Sequence, residues 1–223
     1  MTDYDLSTAV AHHAWNKRWV KPEDEPRWVV ADPGVVDVAE GLLRERGARQ
    51  VLDLGCGIGR HALMFARAGF EVTAFDGAPA GIRAVQAAAE AESLSLRTDE
   101  GLMTDLPYAT GSFDYVLAFN VVYHGEPGVV RRAIAEIRRV LRPGGLYQGT
   151  MLSKRNAKFG VGQEVAPDTF LKGDANEEPH PHFYCNASEL CALYEGFELL
   201  RLEDRLHTKP GSWHWQLLAE VTA

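Results

Sequence analysis

Four groups of residues in this chain have types and spacings that chemistry uses. The stretch "VLDLGCGIGRHALMF" sets an acid, Asp53, before glycines at 55, 57 and 59. Alternate glycines let a backbone turn tightly and bring bare N–H groups close to a ligand. Asp76 ends a second apolar run, where a carboxylate can accept hydroxyl groups or cap the next helix. "FNVVYHG" brings Asn120, Tyr123 and His124 together, and imidazole titrates near neutrality, as a general base should. "PHPHFYC" sets His180 and His182 on one face of an extended segment, with Cys185 beyond and His207 and His214 later. That group reads as an acceptor pocket, a polar lid, or, with Cys185 or His214, a metal site. The tight Cys/His spacing of a zinc site is absent, and no metal is expected.

The elements that must position these residues are legible between about 49 and 152. "RQVLDL", "FEVTAF", "LSLRT", "SFDYVLAFNVV" and "LYQGTML" read as five strands. Between them "RHALMFARAG", "PAGIRAVQAAAEAE" and "PGVVRRAIAEIRRVL" read as helices. The first is closed by Gly69, the second has Pro79 in its first turn, and the third carries Val130, Ile134, Ile137 and Leu141 on one stripe. Strands alternating with helices imply a parallel sheet with right-handed crossovers, whose ligands sit at the carboxyl ends of the strands. Asp53 with its glycines, Asp76, and Asn120 to His124 all fall at such ends.

The flanks differ. Residues 1–45 form a predicted N-terminal helical cap, two short helices broken at "KPEDEPRW", holding Trp15, Trp19 and Trp28. Residues 46–152 are the core. Residues 153–188 lack periodicity and read as a long lid or substrate loop. Residues 189–223 read as a helix and a closing antiparallel hairpin made of "FELLRLEDRL" and "SWHWQLLAEV".

The 223 residues suit one domain, and a net charge of −8 argues against a broad nucleic-acid surface. The arginines at 131, 132, 138, 139 and 142 read as the solvated face of one helix. Three cysteines suggest no disulfide framework. With no apolar run of membrane-spanning length, a cytoplasmic protein away from membranes is expected. Oligomeric state leaves no signature.

Several ligands use glycine turns: dinucleotides, nucleotide triphosphates and S-adenosylmethionine (SAM). A phosphate loop needs Gly-Lys-Ser/Thr, which is missing. A dinucleotide fingerprint needs a third Gly where Arg60 stands, and Arg60 would crowd the helix–strand packing that this Gly permits. "VLDLGCGIGRHALMFARAGFEVTAFD", "DLPYATGSFDYVLAFNVVYHG" and "AIAEIRRVLRPGGLYQGT" together resemble, in order, the motifs of class I SAM-dependent methyltransferases. The likeness is greatest to tellurite-resistance-type and related small-molecule members and covers residues 48–152.

The resemblance implies a Rossmann-like α/β fold, with a seven-stranded, mostly parallel sheet, one antiparallel strand and helices on both faces. It implies SAM as methyl donor and a small-molecule acceptor. Cofactor contacts then fall to Asp53, Gly55, Cys56, Gly57, Gly59, Asp76, Gly77, Leu102, Met103 and Asn120. Asp76 would take the ribose hydroxyls and Met103 would cover the adenine. The family's acid for the adenine amine is replaced by Leu102, which passes that contact to Asp99 or a carbonyl. Arg18 would reach the SAM carboxylate. Catalytic candidates are His124, Tyr123, His180 and His182, with His124 as base. The alternatives are a SAM-binding module without transferase activity, a protein acceptor, and a nicotinamide-dependent oxidoreductase.

Overall fold

A computed structural model describes residues 10–20, 26–174, 177–207 and 209–222. The chain enters through α1 (Ala11–Val20), α2 (Pro26–Val29) and α3 (Pro33–Val38), with a π-helical turn over Ala39–Leu43. This is one helix more than the two expected before residue 45. The predicted Pro-broken connection falls largely on residues 21–25, which lie outside the described residues. Asp32 caps α3 by accepting the Gly34 N–H at 2.9 Å, with Pro33 in the first turn.

Five parallel strands follow: β1 (Gln50–Leu54), β2 (Glu71–Asp76), β3 (Arg97–Glu100), β4 (Phe113–Ala118) and β5 (Leu141–Ser153). Three helices cross between them: α4 (Arg60–Arg67), α5 (Pro79–Ala91) and α6 (Pro127–Val140). The spatial order is β3-β2-β1-β4-β5, so the order reverses between β1 and β4, and a crevice opens at their carboxyl ends. β4 is buried along its whole length because strands flank it and helices cover both faces. α6 buries Val130, Ile134, Ile137 and Val140, close to the predicted stripe. β3 begins later than "LSLRT" suggests. The end of α5 consumes Ser93, at a φ of 55°, and Leu94, whose N–H bonds Ala89 O.

The period of two along β1 sorts its side chains between two core layers. Leu52 and Leu54 pack beneath α6, while Val51 packs with α3 and α4. Asp53 shares the Val51 side and so faces the start of α4.

The sheet is larger than the seven strands expected. After β5 come β6 (Glu164–Ala166), β7 (Thr169–Asp174) and β8 (Glu177–Cys185), then α7 (Ala187–Leu193), β9 (Phe197–Leu206) and β10 (Trp213–Val221). The predicted hairpin is β9 and β10, with β10 antiparallel to β5 and β9. The segment read as a lid without secondary structure is instead an antiparallel meander, β6-β7-β8. It joins the sheet where β8 runs parallel to the tip of β5, at Leu152↔Tyr184 and Ser153↔Cys185. Its strands are short and carry Pro179 and Pro181, which hides the alternation that marks a strand. The sheet has ten strands, two of them antiparallel to the rest, and the Rossmann-like class is unchanged.

Candidate active site

The turn after β1 is pinned from β2. Gly55 and Cys56 both donate their N–H to Phe75 O, at 2.7 and 3.1 Å. Gly55 sits at a φ of +71°, and a Cβ there would lie 2.3 Å from the Val121 side chain. A Cβ on Gly57 would press on Trp19 at 3.1 Å. The glycines therefore let Val121 and Trp19 pack close against the turn, which borders a cavity of about 570 Å³.

Two buried carboxyls flank the turn: Asp76 borders the cavity, while Asp53 lies behind the turn and does not border it. Asp53 is 2% exposed, and its Oδ2 has no hydrogen-bond partner among the described residues. Burial pushes its pKa up to about 7, and the neighbouring Arg60 guanidinium works against that rise. Asp76 accepts the Gly57 N–H at 2.8 Å through Oδ2 and the Ala78 N–H at 2.7 Å through Oδ1. Burial raises Asp76 to about 6, held back by these backbone donors. Capping and ligand binding are compatible, since each carboxylate oxygen keeps a further lone pair.

Gly55, Cys56, Gly57, Asp76, Gly77, Leu102, Met103 and Asn120 all border the cavity. Gly59 does not. Its φ of +92° starts α4, and a Cβ there would meet Val85 of α5 at 2.8 Å, so its role is packing. Cys56 is buried, with its thiol donating to Gly57 O. Asp99 also lies off the cavity, accepting from Tyr108 Oη at 2.9 Å and pairing with Arg97 at 2.6 Å. Asp105 is exposed and does not border the cavity.

The segment carrying Leu102 and Met103 is fixed by α6. Glu136, buried, accepts the Leu106 N–H at 2.9 Å and pairs with Arg139 at 2.7 Å. Arg139 also donates to Leu106 O and Tyr108 O, and Arg132 donates to Thr104 O. Part of the arginine stripe read as solvated is thus a clamp on this loop.

The N-terminal helix closes the other side. Asn16 Oδ1 accepts the Ala80 N–H at the start of α5, and Trp19 lies against Gly57 and Gly81. His12, Trp15 and Trp28 border the cavity. Arg18 does not border it; its guanidinium stacks 5.2 Å from the Trp28 ring centre. The cations that do border it among the described residues are Arg60, which motif reading used only to exclude dinucleotides, and Lys209. His12 and Asn16 were also missed, because two polar residues four positions apart on a helix do not reveal which element they will meet.

At the far end Asn120, at a φ of +62°, receives Thr150 Oγ1–H on Oδ1 and donates from Nδ2 to His207 Nε2 at 3.1 Å. Tyr123, His124, His207 and His214 border this end. His124 is buried, and its Nε2 donates to Asn120 O at 3.1 Å while Nδ1 faces His180 Nε2 at 3.0 Å. His180 Nδ1 donates to Glu178 O and His182 Nδ1 to His180 O, each at 3.0 Å. Burial lowers the pKa of all three, His182 to about 3, with neighbouring imidazoles adding to the effect on His124 and His182. The structure therefore brings the two histidine motifs into one cluster. Cys185 stays apart, its thiol directed to Leu152 O.

A family model described as a methyltransferase domain matches residues 51–145. The chain is 30% identical over 194 residues to a ubiquinone biosynthesis O-methyltransferase of Xanthomonas oryzae pv. oryzae, covering 85% of this chain and 77% of that one. It is 29% identical to a sterol 24-C-methyltransferase of Gibberella zeae, over 98% of this chain but only 58% of the relative's length. The chain likewise spans about half or less of several other curated relatives. In fold it resembles the 1,6-didemethyltoxoflavin-N1-methyltransferase of Burkholderia thailandensis, with a TM-score of 0.70 at 19% identity, covering 100% of this chain and 92% of that one.

Proposed function

The chain belongs to the class I SAM-dependent methyltransferases, whose methyl donor is SAM, and we propose that it methylates a small molecule held in the cavity between the glycine turn and the histidine cluster. The observation that carries this reading is the set of charged groups at the turn: Arg60 and Asp76 border the cavity, and Asp53 lies behind the turn beside Arg60. A half-buried guanidinium on the cavity wall, with the unpartnered Asp53 oxygen behind it, supplies opposite charges for the carboxylate and ammonium of an amino-acid group. Asp76 suits vicinal hydroxyls, and Met103 with the backbone of 101–104 suits a flat base. A volume of about 570 Å³ falls within the range of small-molecule sites.

When bound, SAM supplies a sulfonium methyl carbon for in-line displacement. The residues of this chain align the acceptor and exclude water. Trp15, Trp19 and Trp28 wall the cavity and favour a cationic donor. Tyr123 and His124 border the acceptor end. With both ring nitrogens engaged inside the protein, His124 acts on the acceptor through its neighbours rather than as an isolated base. His214, whose Nδ1 donates to Ser212 O, keeps Nε2 as an acceptor and is the next candidate base. No helix among the described residues is long and apolar enough to cross a membrane, and a cytoplasmic enzyme remains our reading. Transfer of label from methyl-labelled SAM to a panel of small-molecule phenols, thiols and amines tests this function.

A further inference from the structure

We propose that His124, His180 and His182 bind a divalent transition metal ion of the zinc class at the acceptor end of the cavity. One ring nitrogen from each lies within 4.8 Å of the others, and the three rings pack with centroids 4.4 to 4.9 Å apart. The decisive point is where their hydrogens go. A carbonyl oxygen can only accept, so the nitrogens facing Asn120 O, Glu178 O and His180 O must carry N–H. A neutral imidazole has only one N–H. The remaining nitrogens, His124 Nδ1, His180 Nε2 and His182 Nε2, are then lone pairs.

Two of those lone pairs face each other at 3.0 Å. A cation between or beside them makes that contact favourable. A metal ion accepts both of these lone pairs, and His182 supplies the third ligand atom of the group. Nitrogen ligands at about 2.0–2.1 Å in a tetrahedral shell lie about 3.3 Å apart, close to the observed contact. Backbone carbonyls that hold the outer N–H groups fix tautomer and ring orientation, as outer-shell partners do in metal sites. Three imidazoles also leave a coordination position open, the pattern of a catalytic ion, and His124 borders the cavity on that side. An ion there would polarise an acceptor hydroxyl or thiol.

This departs from the metal-free expectation of the sequence, which paired His180 and His182 with Cys185 or His214 and did not bring in His124. The role at the acceptor rests on reading the cavity as a methyl-acceptor site, but ion binding does not, so it is measured without SAM or acceptor. Tag-free protein, stripped with a chelator, is titrated with cobalt(II) and with zinc(II). The expected result is one equivalent bound, with cobalt d–d absorption that zinc abolishes. His180→Ala and His182→Ala should each weaken binding at least about tenfold, with the fold checked by circular dichroism. His13→Ala, on an exposed position, should retain the ion. Absence of a stoichiometric cobalt spectrum in the wild-type protein overturns the proposal, whether or not the variants fold. So does unchanged affinity in both folded variants, which would put the ion elsewhere. A hydrogen-bonded imidazole proton resonance in metal-exposed protein would assign the 3.0 Å contact to a shared proton instead.

Discussion

The Asp76 carboxylate, at the end of β2, accepts the Gly57 N–H at 2.8 Å across the crevice and thereby holds the glycine turn of β1 in place. One side chain thus shapes the turn and borders the cavity. Asp76→Ala is expected to lower stability by about 1–3 kcal/mol through the orphaned N–H groups and to weaken S-adenosylhomocysteine binding at least tenfold. Calorimetry on the folded variant checks it. Unchanged affinity would remove Asp76 from the ribose role.

Asp53 links cofactor affinity to pH. Its folded pKa is raised from 3.8 to about 7, so the cofactor-free fold keeps it protonated through the window between these values. The folded chain then binds the extra proton, and this group's contribution to stability falls as pH rises from about 4 to about 7. An ammonium ligand favours the ionised form. Affinity for the SAM product should therefore rise with pH between about 6 and 8. In Asp53→Asn that rise should shrink to the smaller share left by Asp76. A wild-type profile flat over that range would separate Asp53 from the ammonium.

Gly55 tests the cradle. Gly55→Ala adds a methyl group against Val121 at a backbone conformation with φ of +71°. A loss of about 1–3 kcal/mol is expected, together with loss of cofactor binding. Thermal unfolding and calorimetry read the two effects separately, and a variant of wild-type stability and affinity would show that the turn has slack.

Glu136 tests the clamp on the adenine-side loop. Glu136→Ala removes the acceptor for Leu106 N–H and the partner of Arg139. The arginines are partly exposed, so the stability loss should be modest, about 1–3 kcal/mol. Hydrogen exchange should rise over 101–108 more than elsewhere. Unchanged protection there would mean that packing of Leu106 alone holds the loop.

The glycine-turn half of the crevice was legible in the chain because its signals are local. Asp53, Gly55 and Gly57 are neighbours in sequence, and each βα unit fixes where its own strand ends. The histidine cluster was not legible, because His124 and His180 stand 56 positions apart and meet only when β8 joins the tip of β5. No periodicity announces that junction, since prolines flank His180. Arg60 shows a different limit. It was read by what it forbids, a third glycine, while its charge beside Asp53 became visible only once α4 was placed on the Val51 side of β1.

The central claim is methyl transfer to a small molecule. Protein incubated with methyl-labelled SAM and a mixed panel of phenols, thiols and amines should place label in the small-molecule fraction, with one S-adenosylhomocysteine formed per product. Both should fall at least tenfold in Gly55→Ala. Tight binding of SAM with no label leaving it would make the chain a binding module, and label confined to protein would move the acceptor to another class; either result contradicts the account.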